Sequence, residues 1–223
     1  VTGAPNGSLP SWSRVLVVVA HPDDESFGLG AVLDSFTRAG ADVDVLCLTR
    51  GEASTLGAAP DLAAVRAEEL AAAGRALGVR STRLHDLPDG GLAATKPARL
   101  QAVVAEAVQD GRPEGLLVFD TTGISGHPDH VAATTAAVAT AEELDLPVLA
   151  WTLTGELAGT LLAETGVPFA GCGSADHFEV EVDRTAQRTA IACHASQAVP
   201  GSVLWRRLEL QGSRETLRYL RTR

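Results

Sequence analysis

Val15-Leu16-Val17-Val18-Val19-Ala20, running straight into His21-Pro22-Asp23-Asp24-Glu25, is the stretch on which the fold turns. The first six residues are apolar, mostly β-branched, and show no polar alternation. That pattern predicts a strand buried on both faces, as in a parallel sheet covered by helices on each side. The next five residues put one imidazole and three carboxylates at the strand's exit. Such groups are costly to bury unless they are paired or bound to a metal.

Outward from this strand, helix and strand patterns alternate. A helical pattern covers 26–39 and stops at Gly40, and a second apolar run over 43–48 predicts another buried strand. Asp61 is a natural N-cap for a helix reaching residue 77 before Gly78. Strand patterns follow over 82–87, 116–119 and 148–154, with helices over 98–109 and 128–143 between them. A short strand in HFEVEV, a helix over 183–196 and a mixed tail complete the chain. The β-α-β alternation with short connections predicts a Rossmann-like α/β fold: one domain over 14–223, a mostly parallel sheet with helices on both faces, and an irregular lead-in over 1–13. Sheets of this kind carry their sites beyond the carboxyl ends of the strands.

Two such places are rich in His and Asp. After the first strand, His21 and Asp24 can reach one ion across a turn stiffened by Pro22. Asp23 would then stand beside the ion, free to act as a base toward water. Alone, this pentapeptide reads equally well as a helix N-terminus whose acids complement the dipole. After the fourth strand comes Asp120-Thr121-Thr122-Gly123-Ile124-Ser125-Gly126-His127-Pro128-Asp129-His130. Here one histidine can bind a metal while the other stands nearby as a hydrogen-bond or proton donor. A lone histidine is usually structural, but two segments built on His-Pro-Asp, both beyond strand ends, point to a shared site. With His21, Asp24 and His130 as ligands, one coordination position stays open, as in catalytic rather than structural zinc sites. Glu52, in the loop after the second strand, would line the site or serve as a solvated loop acid. His85 and His177 carry no motif and read as structural.

Composition narrows the field further. Lys plus Arg is 18 against 28 Asp plus Glu, a formal net charge of −10 over 223 residues, which speaks against nucleic-acid and anionic-membrane partners. Three scattered cysteines without a CxxC pair make neither a disulfide framework nor a cysteine-rich zinc site, and with no secretory-type opening or long apolar run they predict a reducing, cytoplasmic setting. The single lysine, Lys96, and the absence of Met fit a GC-rich bacterial genome. A dinucleotide enzyme would need G-x-G-x-x-G where HPDDE stands; Gly28 and Gly30 fall inside the expected helix, and Leu33 occupies the third position. We read these glycines as permitting close packing. No G-x-S-x-G elbow or P-loop occurs.

AHPDDE over 20–25, followed about a hundred residues later by SGHPDH over 125–130, resembles the PIG-L/LmbE family of zinc-dependent de-N-acetylases. The resemblance spans about 15–197. It implies hydrolysis of an acetamide on an amino sugar, an N-acetylglucosamine conjugate, with Zn²⁺ (Fe²⁺ as the other candidate) on His21, Asp24 and His130. By the same matching, Asp23 is the general base, and His127, expected protonated, stabilises the oxyanion. Arg66, in an R-x-x-E helix, contacts substrate; Asp89, in PDGGL, binds sugar hydroxyls. His194 and Gln197, in CHASQ, lie near the site. Read without the resemblance, Arg66 is a surface partner of Glu69, Asp89 a turn residue and His194 a packing residue. Tyr219, the only tyrosine, lies in the tail, so a tyrosine that assists some members has no match. Two other functions stay open: an amidase acting on a thiol conjugate or other acyl amide, and a non-catalytic metal- or ligand-binding relative. A homo-oligomer is also left open.

Overall fold

The computed structural model describes residues 7–57, 59–173 and 177–222. Of the expected lead-in, residues 1–6 lie outside the described residues, and 7–13 form neither helix nor strand. The elements in chain order are β1 (Arg14–Val19), α1 (Asp24–Phe27), α2 (Gly30–Arg38), β2 (Asp42–Thr49), α3 (Leu62–Ala76), β3 (Ser81–Leu87), α4 (Pro97–Gly111), β4 (Gly115–Phe119), α5 (Gly123–Gly126), α6 (Pro128–Glu143), β5 (Val148–Thr152), α7 (Gly155–Thr165), β6 (Phe178–Glu181), α8 (Thr185–Cys193), α9 (Val203–Gln211) and β7 (Arg214–Arg221).

The strands form one seven-stranded sheet in the order β3-β2-β1-β4-β5-β7-β6. The first five strands run parallel, and β7 is antiparallel to both of its neighbours. The two-residue period of β1 divides its side chains between two cores. Val15, Val17 and Val19 pack with Leu33 and Phe36 of α2 and Leu70 of α3, whereas Leu16 and Val18 pack with Val104 of α4 and Ala137 of α6. Both faces of the strand are therefore covered, which is why its sequence lacks polar alternation. Each fully buried valine or leucine contributes roughly 1.5–3 kcal/mol relative to exposure.

From β1 the chain moves outward to β2 and β3 on one side, then crosses to β4 on the other. The gap between β1 and β4 is thus the switch point of the sheet, and both His-Pro-Asp segments leave from it. The glycines after the first segment permit close packing. A Cβ on Gly30 would lie 2.9 Å from Cγ of Gln187 on α8, and one on Gly28 would run into the Phe119 ring.

Several elements have no counterpart in the sequence reading, α7 and β7 among them. The helix α7 begins at Thr154, where the sequence pattern predicts the end of a strand; the Thr154 hydroxyl accepts from the Leu157 N–H at 3.2 Å and so caps the helix. The charged run Arg214–Arg221 does not look like an interior strand. It becomes one because Glu215, fully buried, accepts hydrogen bonds from Trp151 Nε1 (2.6 Å), Gln211 and Arg184. The tail is thereby stitched between β5 and β6.

Candidate metal centre and active site

Strand β1 ends at Val19, and the chain turns so that Asp24 opens α1. One carboxylate oxygen of Asp24 accepts from the backbone N–H groups of Ala20 (3.2 Å) and His21 (2.9 Å). Those bonds fix the turn and leave the other oxygen 3.1 Å from Nε2 of His130. Nδ1 of His21 lies 3.2 Å from the same Nε2 and 3.5 Å from Asp24. His130 stands one turn into α6, whose N-cap is His127. The ligand atoms of His21, Asp24 and His130 all lie within 4.8 Å of one another.

The outer faces of both imidazoles decide what the inner faces can do. His130 Nδ1 lies 3.2 Å from the carbonyl of Gly123, a group that only accepts, so a proton held on Nδ1 is anchored there and leaves Nε2 to present a lone pair to an ion. His21 Nε2 lies 3.2 Å from Asp89 and 3.4 Å from Asp129, so its proton sits there and Nδ1 carries the lone pair. Two ring nitrogens 3.2 Å apart beside a carboxylate need a positive centre between them, a shared proton or a metal ion. Neighbouring donors of a tetrahedral ion with bonds of about 2.0–2.1 Å are about 3.3–3.4 Å apart. The separations from His130 Nε2 to Asp24 Oδ1 (3.1 Å) and to His21 Nδ1 (3.2 Å) are close to that spacing, and one donor atom from each of the three residues lies within 4.8 Å of the others, so the set fits a divalent ion. A second cluster, His21 with Asp89 and Asp129, shares the other face of the His21 ring. Its arrangement is that of carboxylates holding the outer N–H of a metal-binding histidine.

Without an ion the cluster holds its positive charge as protons on the imidazoles, which a bound cation would displace. Burial alone would lower the His21 imidazole, but hydrogen bonds to Asp129, Asp24 and Asp89 push it up to about 12, the mark of a place that attracts positive charge. Burial alone would raise Asp24, yet the imidazoles of His130 and His21 hold it well below the usual carboxylate range.

Asp23 has a different setting. Its φ is 131°, a backbone conformation that an L residue rarely adopts. Its N–H donates to Glu25 at 2.9 Å, and its carboxylate stands 3.2 Å from the Arg66 guanidinium. Burial and the neighbouring Asp24 push its carboxyl up to about 7, with Arg66 pulling the other way. Asp23 borders a polar cleft of about 270 Å³ together with His21, Arg66, Asp89, His127 and Gln197.

The remaining expected site residues fall into two groups. His127 is exposed on the cleft, with its ring 4.9 Å from His21 and 4.6 Å from His130. Its Nδ1 accepts from the Asp129 N–H at 3.2 Å. Burial and the imidazoles of His130 and His21 hold it below the ordinary histidine value, against the expected protonated ring. Asp89 lines the cleft, but both of its oxygens are engaged, by His21 and by the Ala53 N–H (2.8 Å). Arg66 lines it too and is not the surface partner of Glu69. It is buried and donates to the carbonyls of Gly51 (2.8 Å) and Pro22, while Glu69 accepts from Ser196. Glu52 is not a cleft residue: it is exposed and accepts the Asp89 N–H at 3.0 Å. His194 stands near the site but does not line the cleft. It is fully buried behind the site, with Nε2 2.7 Å from Glu25, so it cannot touch a ligand in the cleft. Glu25 and Asp129 escaped sequence reasoning. Both are fully buried acids inside the two motifs, and a count of acids exceeding the ligands needed was the available signal.

Residues 16–141 match the family model described as PIG-L: GlcNAc-PI de-N-acetylase. A 1D-myo-inositol 2-acetamido-2-deoxy-alpha-D-glucopyranoside deacetylase from Kineococcus radiotolerans is 36% identical over 158 residues, 56% of this chain and 44% of that protein. One of the same name from Nakamurella multipartita is 31% identical over 246 residues, 86% of this chain and 82% of that protein. The chain thus spans less than half the length of the Kineococcus relative. Among solved structures, the conserved protein TT1542 from Thermus thermophilus is similar, with 26% identity, a TM-score of 0.66 and 93% of each chain covered. The matched residues make up more than half of the chain and contain both His-Pro-Asp segments, and the chain belongs to the PIG-L family.

Proposed function

We propose that this chain is a metal-dependent hydrolase that removes the acetyl group from an N-acetylglucosamine conjugate, with Zn²⁺ held by His21 Nδ1, Asp24 and His130 Nε2. Fe²⁺ suits the same donors. The observation that carries the reading is a spare carboxylate, Asp23, beside a convergent His-Asp-His set whose outer N–H groups are already anchored. A binding protein needs no such extra base. The names of the relatives support the amino-sugar substrate, and the three free cysteines fit a reducing compartment. Among the described residues no helix is long and apolar enough to cross a membrane.

When bound, the ion supplies Lewis acidity that makes water a better nucleophile and polarises the amide carbonyl. The protein groups do the rest. Asp23, poised near neutrality, takes the proton from the attacking water. Arg66 and Glu25 hold that carboxylate and its strained backbone in place. With Nδ1 engaged by the Asp129 N–H, His127 keeps its proton on Nε2 and donates from there, as a neutral ring, to the developing oxyanion. Loss of that proton would leave an anionic ring, so Asp23 returns the proton to the departing amine. Asp89 and Asp129 orient His21.

Metal-loaded protein incubated with N-acetylglucosaminyl inositol should release acetate and expose a free amine, read by enzymatic acetate assay and amine labelling. Metal uptake without acetate release from any N-acetylglucosamine conjugate would refute the reading.

A further inference from the structure

A second cavity, of about 220 Å³, adjoins the metal cluster. It shares His21 and Asp23 with the polar cleft, and no other described residue; Asp24 and His130 also border it. Its remaining lining is mainly apolar: Phe27, Phe119, Ile124, Trp151, Phe169 and Leu204. Four of these, Phe27, Phe119, Ile124 and Trp151, are buried side chains whose faces form a fixed wall. Trp151, Phe169 and Leu204 come from the C-terminal third, outside residues 16–141.

An amide held at the cluster must direct its amine and its acyl group to opposite sides. The cleft is the polar side, bordered by Asp89, Arg66, Gln197 and the exposed His127. The chamber offers hydrocarbon and aromatic faces. A water takes about 30 Å³ of liquid volume, and an acetyl methyl is of similar size, so an acetyl group would leave most of the chamber unfilled. Arg207 also borders the chamber, but its charge is already met: it donates to the Phe27 carbonyl and to Gln211, lies 3.7 Å from Glu215, and stacks over the Trp151 ring at 5.0 Å. Its Nε has no hydrogen-bond partner among the described residues, but the guanidinium already lies against the Glu215 carboxylate, so a second anion is not required.

We infer that this chamber is an acyl subsite, and that the site takes an uncharged, unbranched acyl group of about four to six carbons in preference to acetyl. The inference rests on the amide-hydrolase reading given above. Each methylene moved from water into such a chamber adds about 0.8 kcal/mol (roughly fourfold) to binding.

The test joins binding to turnover. Binding of hexanamide and acetamide to the zinc-loaded protein is measured by calorimetry, and kcat/KM is compared for N-acetyl-, N-butanoyl-, N-hexanoyl- and N-succinylglucosamine. The same measurements are made on Leu204→Trp, which fills the chamber, and on the milder Leu204→Phe, with circular dichroism as a check on folding. We expect hexanamide to bind at least about tenfold tighter than acetamide, and the hexanoyl-to-acetyl ratio of kcat/KM to exceed one. Both margins should fall about tenfold in the filled variants. Equal binding of the two amides, a ratio below one, or a preference for the succinyl substrate would overturn the inference. Hydrolysis of the acetyl compound with equal amide binding sinks the acyl subsite and leaves the hydrolase reading intact. Leu204-sensitive hexanamide binding without turnover of any amide does the reverse.

Discussion

The segments after β1 and β4 are both built on His-Pro-Asp, yet matching letters do different work. In the first, His21 faces inward and Asp23 opens on the cleft beside Arg66. In the second, His127 caps α6 and Asp129 is fully buried, accepting from the N–H groups of Gly90 (2.8 Å) and Leu92 (3.0 Å). Asp23 and Asp129 occupy the same place in their motifs. One is a candidate base, and the other ties a loop to the site while holding the outer N–H of His21. What separates them is the set of groups each meets: a guanidinium and open space for Asp23, two backbone amides and an imidazole for Asp129. A motif marks where chemistry gathers, and the partners assign the roles.

Substituting each of the two aspartates tests this contrast. The larger effect is expected from Asp23→Asn. It should retain metal, since Asp23 is not in the ligand set, and lose about 10²–10⁴-fold in kcat, the usual worth of a positioned general base. Metal analysis beside steady-state kinetics checks both halves; activity near the parent rate would remove Asp23 from the role of base. Asp129→Asn should behave in the opposite way. The amide cannot accept from both backbone N–H groups in the same fashion and presents a weaker partner to His21. Metal affinity should fall about 10–100-fold. Stability should drop by about 1–3 kcal/mol for a buried amide left unmet, a fall in Tm of roughly 2–12 °C. Much of kcat should return at saturating metal. Competition with a chromophoric chelator and a thermal melt measure the two quantities. Equal loss of kcat in both variants, unrelieved by metal, would erase the distinction between the segments.

The fold was largely legible in the sequence. The interior strands β1, β2, β4 and β5 announce themselves as apolar runs, and the alternation with helices implies a parallel sheet with its sites at the strand exits. The antiparallel strand β7 was hidden because its charges are satisfied internally: no local pattern shows that Glu215 will be buried against Trp151, Arg184 and Gln211. At the site, the two motifs show which stretches meet, and the structure brings His21, Asp24 and His130 together. The supporting acids were not legible. Glu25 owes its role to His194, 169 positions away, and Asp129 to a loop 37 to 39 positions before it. Resemblance drew attention to His194, and the loop after β2 to Glu52, without saying on which side of the site they stand. Contacts of that separation are set by the packing of α8 and of the loop after β3; the motifs CHASQ and PDGGL mark those places without giving the pairing.

The central claim is that the two lone pairs on His21 Nδ1 and His130 Nε2 and the carboxylate of Asp24 converge on a single ion, while Asp89 and Asp129 grip the far side of the His21 ring. A crystal of the protein loaded with one equivalent of zinc, with anomalous data collected at the zinc edge, tests it directly. The account predicts one strong peak within bonding distance of His21 Nδ1, Asp24 and His130 Nε2, and none beyond Nε2 of His21. A peak between His21 Nε2, Asp89 and Asp129 instead, or no ordered peak at either place, would contradict it.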